Sequence, residues 1–280
     1  MVGRNQPTLA IVERVNGCAT TPDLNLGFSD ASCGFPRDDC EQENPTMMKI
    51  STPLPVANKL LAALPRADYQ RVAGDLQVVS LEFGEVLYEQ GDVIKFVYFP
   101  NDSLVSLLTV VDRHLALEVG MVGREGMVGV AFALGIGVSP FRAMVQGAGT
   151  ALRMKAATFR RELGLNPLLQ RKLDLYIHTL MAQIAQTAAC NRFHVVEARL
   201  ARWLLMTRDR VRSNEFRLTQ EFLGHMLGVR RVGVTNAALA LKKRKLIDYN
   251  RGSISITNGG GLEAAACSCY EKVRGAQSQP

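Results

Sequence analysis

No apolar run in this 280-residue sequence approaches the ~20 residues that a membrane-spanning helix needs. The opening, "MVGRNQPTLAIVERVNG", lacks the apolar core of a secretory signal. Cysteine is sparse. Cys18, Cys33 and Cys40 sit in a polar N-terminal stretch, and Cys190, Cys267 and Cys269 are far from them. This is no secreted disulfide framework, so a cytoplasm with reduced thiols is the expected compartment. The four histidines, His114, His178, His194 and His225, match no metal-ligand spacing. Cys267-Ser268-Cys269 leaves one residue between its sulfurs, not the two usual in zinc or redox pairs. No GxSxG, HExxH or Walker pattern occurs, so catalysis has no residues to carry it, and neither cofactor nor metal is expected.

What is present is a globular composition, 47% apolar, with room for two cores. Net charge is +7, unevenly spread. From Arg192 onward there are 16 Lys/Arg against 7 Asp/Glu; the rest of the chain carries 17 against 19. All the excess positive charge lies in the last third, where a polyanion would be gripped. A solubilising basic surface would give the same numbers.

Residues 1–47 read as a disordered tail, rich in Asp, Asn, Gly, Ser, Thr and Pro. Met47-Met48 follows at once and is a candidate true start. "VANKLLAALPRADYQRVAGDL" predicts one or two short helices broken at Pro65. From Val78 to about 155 short β-branched and aromatic runs alternate with Gly and Asp, as in a β-sandwich or barrel. Asn166 then caps a long helix that starts at Pro167. Its residues Leu173, Ile177, Leu180, Ile184 and Ala188 form a narrow seam near heptad spacing, suited to a partner helix or to the chain's own β-domain. Next comes "VVEARLARWLLMTRDRV", a helix with Val196, Leu200, Trp203 and Leu204 on one face. "LIDYNRGSISIT" predicts a hairpin, and "GLEAAACSCYEKV" one closing helix. The implied domains are 48–165, a dimerisation helix at 166–192, and 193–280.

One stretch carries chemistry: "FRLTQEFLGHMLGVRRVGVTNAAL", Phe216 to Leu239. Two helices crossing sharply must bury Leu223 and Leu227 against Val234 and Ala237. They need a small residue at the approach, Gly224, and a turn residue that tolerates positive φ, Gly228. This is the helix-turn-helix pattern. The second helix then presents Arg230, Arg231, Val232, Thr235 and Asn236 away from that core. Arg can bond guanine O6 and N7 together, and Asn can do the same on adenine, so Arg231 and Asn236 are the expected base readers. Thr219 and Gln220 open the first helix, where hydroxyl and backbone N–H groups can hold phosphate. "KKRK" at 242–245 serves either phosphate or the helix C-terminus. Arg251 at the hairpin tip is a candidate wing contact.

A β-domain, a long helix and a basic helix-turn-helix with hairpin together resemble the Crp/Fnr family of bacterial transcription regulators over about residues 50–275. The sharpest parts are "LTQEFLGHMLGVRR" and the turn glycines Gly84 and Gly91 in "FGEVLYEQGD". The resemblance implies an α+β fold: an N-terminal jelly roll of the cyclic-nucleotide-binding type, a long dimerisation helix and a C-terminal winged helix-turn-helix. It implies a homodimer on double-stranded DNA, at a near-palindrome with half-sites about one helical turn (~34 Å) apart, with RNA polymerase as a further partner.

The resemblance also defines a candidate effector pocket. Nucleotide-binding members carry a Gly-Glu pair for the ribose and an Arg-Ser pair for the cyclic phosphate. Here Gly129 is followed by Val130, and Arg142 by Ala143. Valine cannot accept the ribose hydroxyl proton, and each buried ligand group left unpaired costs ~1–3 kcal/mol. The effector is therefore an unknown small molecule, or sensing has been lost. Arg142 is left to pair with an anion or with a neighbouring acid. Cys18, Cys33 and Cys40, spaced by 15 and 7, are too loose for the family's iron–sulfur cluster. The rival is a regulatory or scaffold protein whose helix-turn-helix docks a partner instead of DNA.

Overall fold

The computed structural model describes residues 57–112, 115–250 and 252–277. The expected tail, the start at Met47 or Met48, Cys18, Cys33, Cys40, His114 and Arg251 lie outside them. The chain opens with α1 (Lys59–Ala62) and α2 (Arg66–Ala73), broken at Pro65 as expected. Asn58 caps α1, and its amide donates to the carbonyls of Pro100 and Gly126, which pins the helix to the β-domain.

Seven strands follow: β1 (Gln77–Leu81), β2 (Val86–Tyr88), β3 (Phe96–Pro100), β4 (Leu104–Asp112), β5 (Leu115–Val122), β6 (Arg142–Gly147) and β7 (Gly149–Lys155). They form two antiparallel sheets, ordered β1-β7-β3 and β2-β6-β4-β5. Their facing side chains, Val97, Phe99, Val105 and Val145 among them, make one core with Met127. The turns at Gly84 and Gly91 adopt φ of +85° and +95°, which a side chain would strain. Three elements here went unexpected, β7 being the first, a strand that no run named in the sequence covers. A 3-10 turn, Val130–Leu134, lies between left-handed Gly129 and Gly135. Helix α3 (Ala156–Leu165) buries Ala156 and Phe159 on a stripe too short to stand out in the sequence.

Helix α4 (Pro167–Phe193) starts as predicted, with Asn166 Oδ1 accepting from Leu169 N at 2.9 Å. Of the two neighbours its seam suited, the chain's own β-domain takes it. Leu173, Ile177 and Leu180 are buried, and Leu173 and Leu180 belong to the β-domain's core, with Ile184 packed on it. The apolar positions answer the chain's own β5 first. The exposed stripe runs through His178, Met181 and Ala185 and takes in Ala188, the last position of the expected seam.

Helix α5 (Val196–Val211) is buried nearly all round from Arg199 to Thr207, because it lies between the β-domain and the C-terminal elements. A polar network crosses this boundary. Trp203 Nε1 donates to Glu118 Oε1 at 2.8 Å, and Gln146 Nε2 donates to Thr207 Oγ1 at 3.2 Å. Arg210 pairs with Glu125 at 2.7 Å and donates to Gln183. Ser106 Oγ lies 2.6 Å from Glu118 Oε2 and 2.5 Å from Gln146 Oε1. One hydroxyl proton cannot serve both oxygens. A protonated Glu118 resolves the conflict by donating to Ser106, which donates to Gln146. Burial favours that form, lifting the Glu118 carboxyl from 4.5 to about 7.

The C-terminal part contains β8 (Glu215–Arg217), α6 (Gln220–Leu227), α7 (Arg231–Lys243), β9 (Ile247–Asn250) and β10 (Ser253–Ile256), the strands ordered β8-β10-β9. The expected hairpin is present, with Gly252 at φ +81°; β8, a short strand that no expectation covered, joins its edge. The single closing helix is two, α8 (Gly259–Ala265) and α9 (Cys269–Gln277). Extended backbone at Ala266 (φ −70°, ψ 157°) separates them, and α9 folds back along α4.

Candidate nucleic-acid interface

The helix-turn-helix is built as the spacing required. Leu223, Leu227, Val234 and Ala237 are buried, joined by Ala238 and Leu241. Gly228 ends α6 at φ +60°, ψ +40°. At Gly224 a Cβ would stand 3.0 Å from the Val229 carbonyl oxygen, so any side chain would push the two helices apart. Val229 N closes the turn by donating to Gly224 O at 2.9 Å.

This core leaves one face of α7 open. Arg230, at the N-cap, and Arg231, Val232 and Asn236 are exposed, Val232 by 63%. Among the described residues neither arginine makes an ion pair. The sequence reading missed Leu239, 58% exposed three residues beyond Asn236; that helical spacing was the available signal. An exposed Val and Leu beside Arg and Asn suit thymine methyls beside polar base edges.

Thr235 is half-buried, and its hydroxyl lies 2.7 Å from Gln220 Oε1 on α6 and 3.0 Å from Arg231 O of its own helix, so it joins the two helices. Gln220 also contacts Tyr249 of the wing, a second residue the sequence reading missed; burial raises that phenol's pKa. Thr219 is the N-cap of α6, its oxygen accepting from Phe222 N at 3.1 Å, so its own proton stays available as a donor. The "KKRK" run is divided. Lys242 pairs with Asp248 at 2.7 Å and Arg244 with Glu197 at 2.7 Å, while Lys243 and Lys245 are exposed.

The back of the motif rests on the β-domain. Phe222 packs against Phe83 with ring centroids 5.4 Å apart, and Leu117 of β5 touches Gly228. A cavity of about 420 Å³ lies between Val111 and Leu117 on one side and His225 and Arg230 on the other.

The four effector-pocket residues do not form a polar cradle. Gly129 has φ +94°, and a Cβ there would meet Tyr88 Oη at 2.9 Å, Val97 and Ile94. Val130 is half-buried beside that wall, whose one polar atom is the buried Tyr88 hydroxyl, and Ala143 is fully buried on β6, where it pairs with Tyr88 of β2. Arg142 Nε donates to Glu89 Oε2 at 2.5 Å. Of the two readings left open for Arg142, the structure realises the neighbouring acid.

Residues 198–265 match the Crp-like helix-turn-helix domain family. No curated protein matches the chain in sequence. Solved structures match its fold. FixK2 from Bradyrhizobium japonicum is 14% identical, with 69% of this chain and 98% of that one covered and a TM-score of 0.59. The c-di-GMP responsive global regulator CLP from Xanthomonas campestris is 13% identical, with 69% and 99% covered and a TM-score of 0.57. A CRP/FNR-family transcriptional regulator from Thermus thermophilus is 20% identical, with 68% and 98% covered and a TM-score of 0.56. At these identities the likeness is one of fold, and the family's signature in the sequence is the motif itself: the chain carries a Crp-like helix-turn-helix domain within the fold of the Crp/Fnr transcription regulators.

Proposed function

We propose that the protein is a sequence-specific DNA-binding transcription regulator, working as a homodimer on a near-palindromic site. The observation that carries this reading is the open face of α7, where Arg230, Arg231, Val232 and Asn236 stand in solvent on a helix whose other side is core. Exposed cations without acidic partners fit phosphate, and Arg and Asn at the start of the helix fit base edges. Arg231 and Asn236 are the base readers. Thr219 and Lys243 serve phosphate, and Gln220 and Thr235 hold the two helices in register.

The dimer forms through the exposed side of α4. Met181, 64% exposed, is followed by Ala185 and Ala188, whose small side chains let a second helix approach closely. The β-domain answers an effector other than a cyclic nucleotide, or none. Whatever biases the pairing of the α4 helices also sets the spacing of the two α7 helices.

Selection of random duplex DNA by the purified protein, without ligand and at near-physiological salt, tests this reading. The expected result is an enriched near-palindrome, bound less tightly as salt rises because counterions leave the phosphates. If neither the purified protein nor the protein in cell extract enriches any sequence, the helix-turn-helix docks something other than DNA.

A further inference from the structure

Four side chains that DNA binding does not use converge at the C-terminal end of α4. Cys190 lies in its last turn, and His194 is the C-cap residue, whose N–H donates to Cys190 O at 3.1 Å. Cys267 lies in the break between α8 and α9, and Cys269 opens α9. That break is what brings the pair together, since residues two apart on one continuous helix do not face each other. Cys190 Sγ lies 3.4 Å from Cys267 Sγ, and Cys269 Sγ lies 3.5 Å from His194 Nδ1. All four donor atoms fall within 4.8 Å of one another. The three cysteines are buried and His194 half-buried. Sulfur bonds of ~2.3 Å and a nitrogen bond of ~2.1 Å around one tetrahedral ion would place neighbouring donors about 3.5–3.8 Å apart. Donors this close enclose one ion, whereas a polynuclear cluster sets its ligands on separate metals.

A second observation concerns charge. Arg199 and Arg202 of α5 are buried beside these sulfurs, 5% and 3% exposed. The Nε of each lacks a hydrogen-bond partner, and among the described residues neither forms an ion pair with a carboxylate. Buried cations need a counter-charge. The buried carboxyl in electrostatic reach of Arg202, Glu118, is held towards its neutral form by burial, and three neutral thiols do not supply the counter-charge either. Three thiolates and one imidazole on a divalent ion carry a net charge of −1 and do. Gln186 Nε2 donates to Cys269 Sγ at 3.0 Å, the kind of outer contact that orients a ligating sulfur.

We propose that Cys190, His194, Cys267 and Cys269 form a mononuclear Cys3His site for a divalent transition ion of the zinc type. Four protein ligands leave no open position, so the site is structural. It fastens the segment between α8 and α9 to the end of α4. Binding the ion displaces up to three thiol protons to solvent, and no redox step is involved.

The test is titration of the reduced full-length chain with Co²⁺ as a spectroscopic probe, followed by displacement with Zn²⁺ and metal counting by mass spectrometry. The expected result is about one ion per chain, with the absorption of tetrahedral thiolate-bound Co²⁺. It should persist when Cys18, Cys33 and Cys40 are all changed to Ser. It should weaken at least ~10-fold in Cys269→Ser and, less strongly, in His194→Ala, ligand loss being of at least the outer-contact order. Should Cys269→Ser fail to fold, thiol alkylation of the wild type decides. Cys190, Cys267 and Cys269 should be protected by Zn²⁺ and released by chelator. Absence of a tetrahedral spectrum, binding that follows the N-terminal cysteines, or a Cys190–Cys267 disulfide as the stable form under those conditions would each overturn the proposal. No DNA enters the assay, so its outcome is independent of the DNA-binding reading.

Discussion

Arginines in the β-domain and arginines at the start of α7 meet opposite fates. In the β-domain Arg142 is paired with Glu89, Arg161 with Asp75, and Arg153 lies over the Phe96 ring. Arg230 and Arg231 are exposed, with no acid in ion-pair reach among the described residues. Charge that is already answered within the chain is structure. Charge held in solvent on a rigid helix is a demand for a partner. Arg142, the residue that the family resemblance put forward for a cyclic phosphate, is thus answered within the chain, and the basic helix is the part left open. The two regions meet across α5, where the buried network around Glu118 ties one to the other.

The largest effect that would sharpen this contrast is at Glu118. Its carboxyl titrates at about 7 in the folded chain, against 4.5 for a free one. In that window the native state holds a proton the unfolded chain has lost. The stability this provides is fully present below about pH 4.5, falls as pH rises, and is gone above about pH 7, a total of about 3 kcal/mol. Glu118→Gln keeps a donor for Ser106 and cannot ionise. Urea unfolding of both proteins across this range should show the wild type losing about 3 kcal/mol relative to the variant as pH rises. Parallel curves would mean that the junction does not titrate.

Next in size is Arg231→Ala. Loss of a bidentate base contact should cost about 1–3 kcal/mol on the selected site and relax preference at one position per half-site. Lys243→Ala serves as its control, with a weaker, sequence-independent loss and a shallower salt dependence. Equal losses for Arg231→Ala on selected and random DNA would make Arg231 a phosphate contact and erase its distinction from Lys243.

The helix-turn-helix was legible because its requirements are local. Leu223, Gly224, Leu227, Gly228, Val234 and Ala237 lie within fifteen residues, and each answers a steric demand of one helix crossing another. The β-strands were legible for the same reason, from alternation and turn glycines. Features that depend on distant packing were not. The seam of α4 had the right period but gave no sign of which neighbour would claim it, and β5 did. Thr235 looked solvent-facing until Gln220, fifteen residues away, took its hydroxyl. Cys190 and Cys267 are separated by 77 residues, and no spacing rule could join them before α9 folded back along α4.

The smallest effect tests the quiet side of the comparison. Arg142 and Glu89 form a partly exposed pair, and such pairs contribute about 0.2–1 kcal/mol. Arg142→Ala should therefore change stability by less than about 1 kcal/mol and leave selected-DNA binding within about twofold of the wild type. Thermal unfolding of the wild type with and without cyclic AMP completes the test. A nucleotide that used Arg142 would have to break the ion pair with Glu89, displace Val97, Ile94 and the Tyr88 ring beside Gly129, and find a ribose partner where Val130 offers none. No shift in the midpoint is expected. A shift abolished by Arg142→Ala would show that the arginine is held in reserve for a phosphate, and the contrast with α7 would become one of degree.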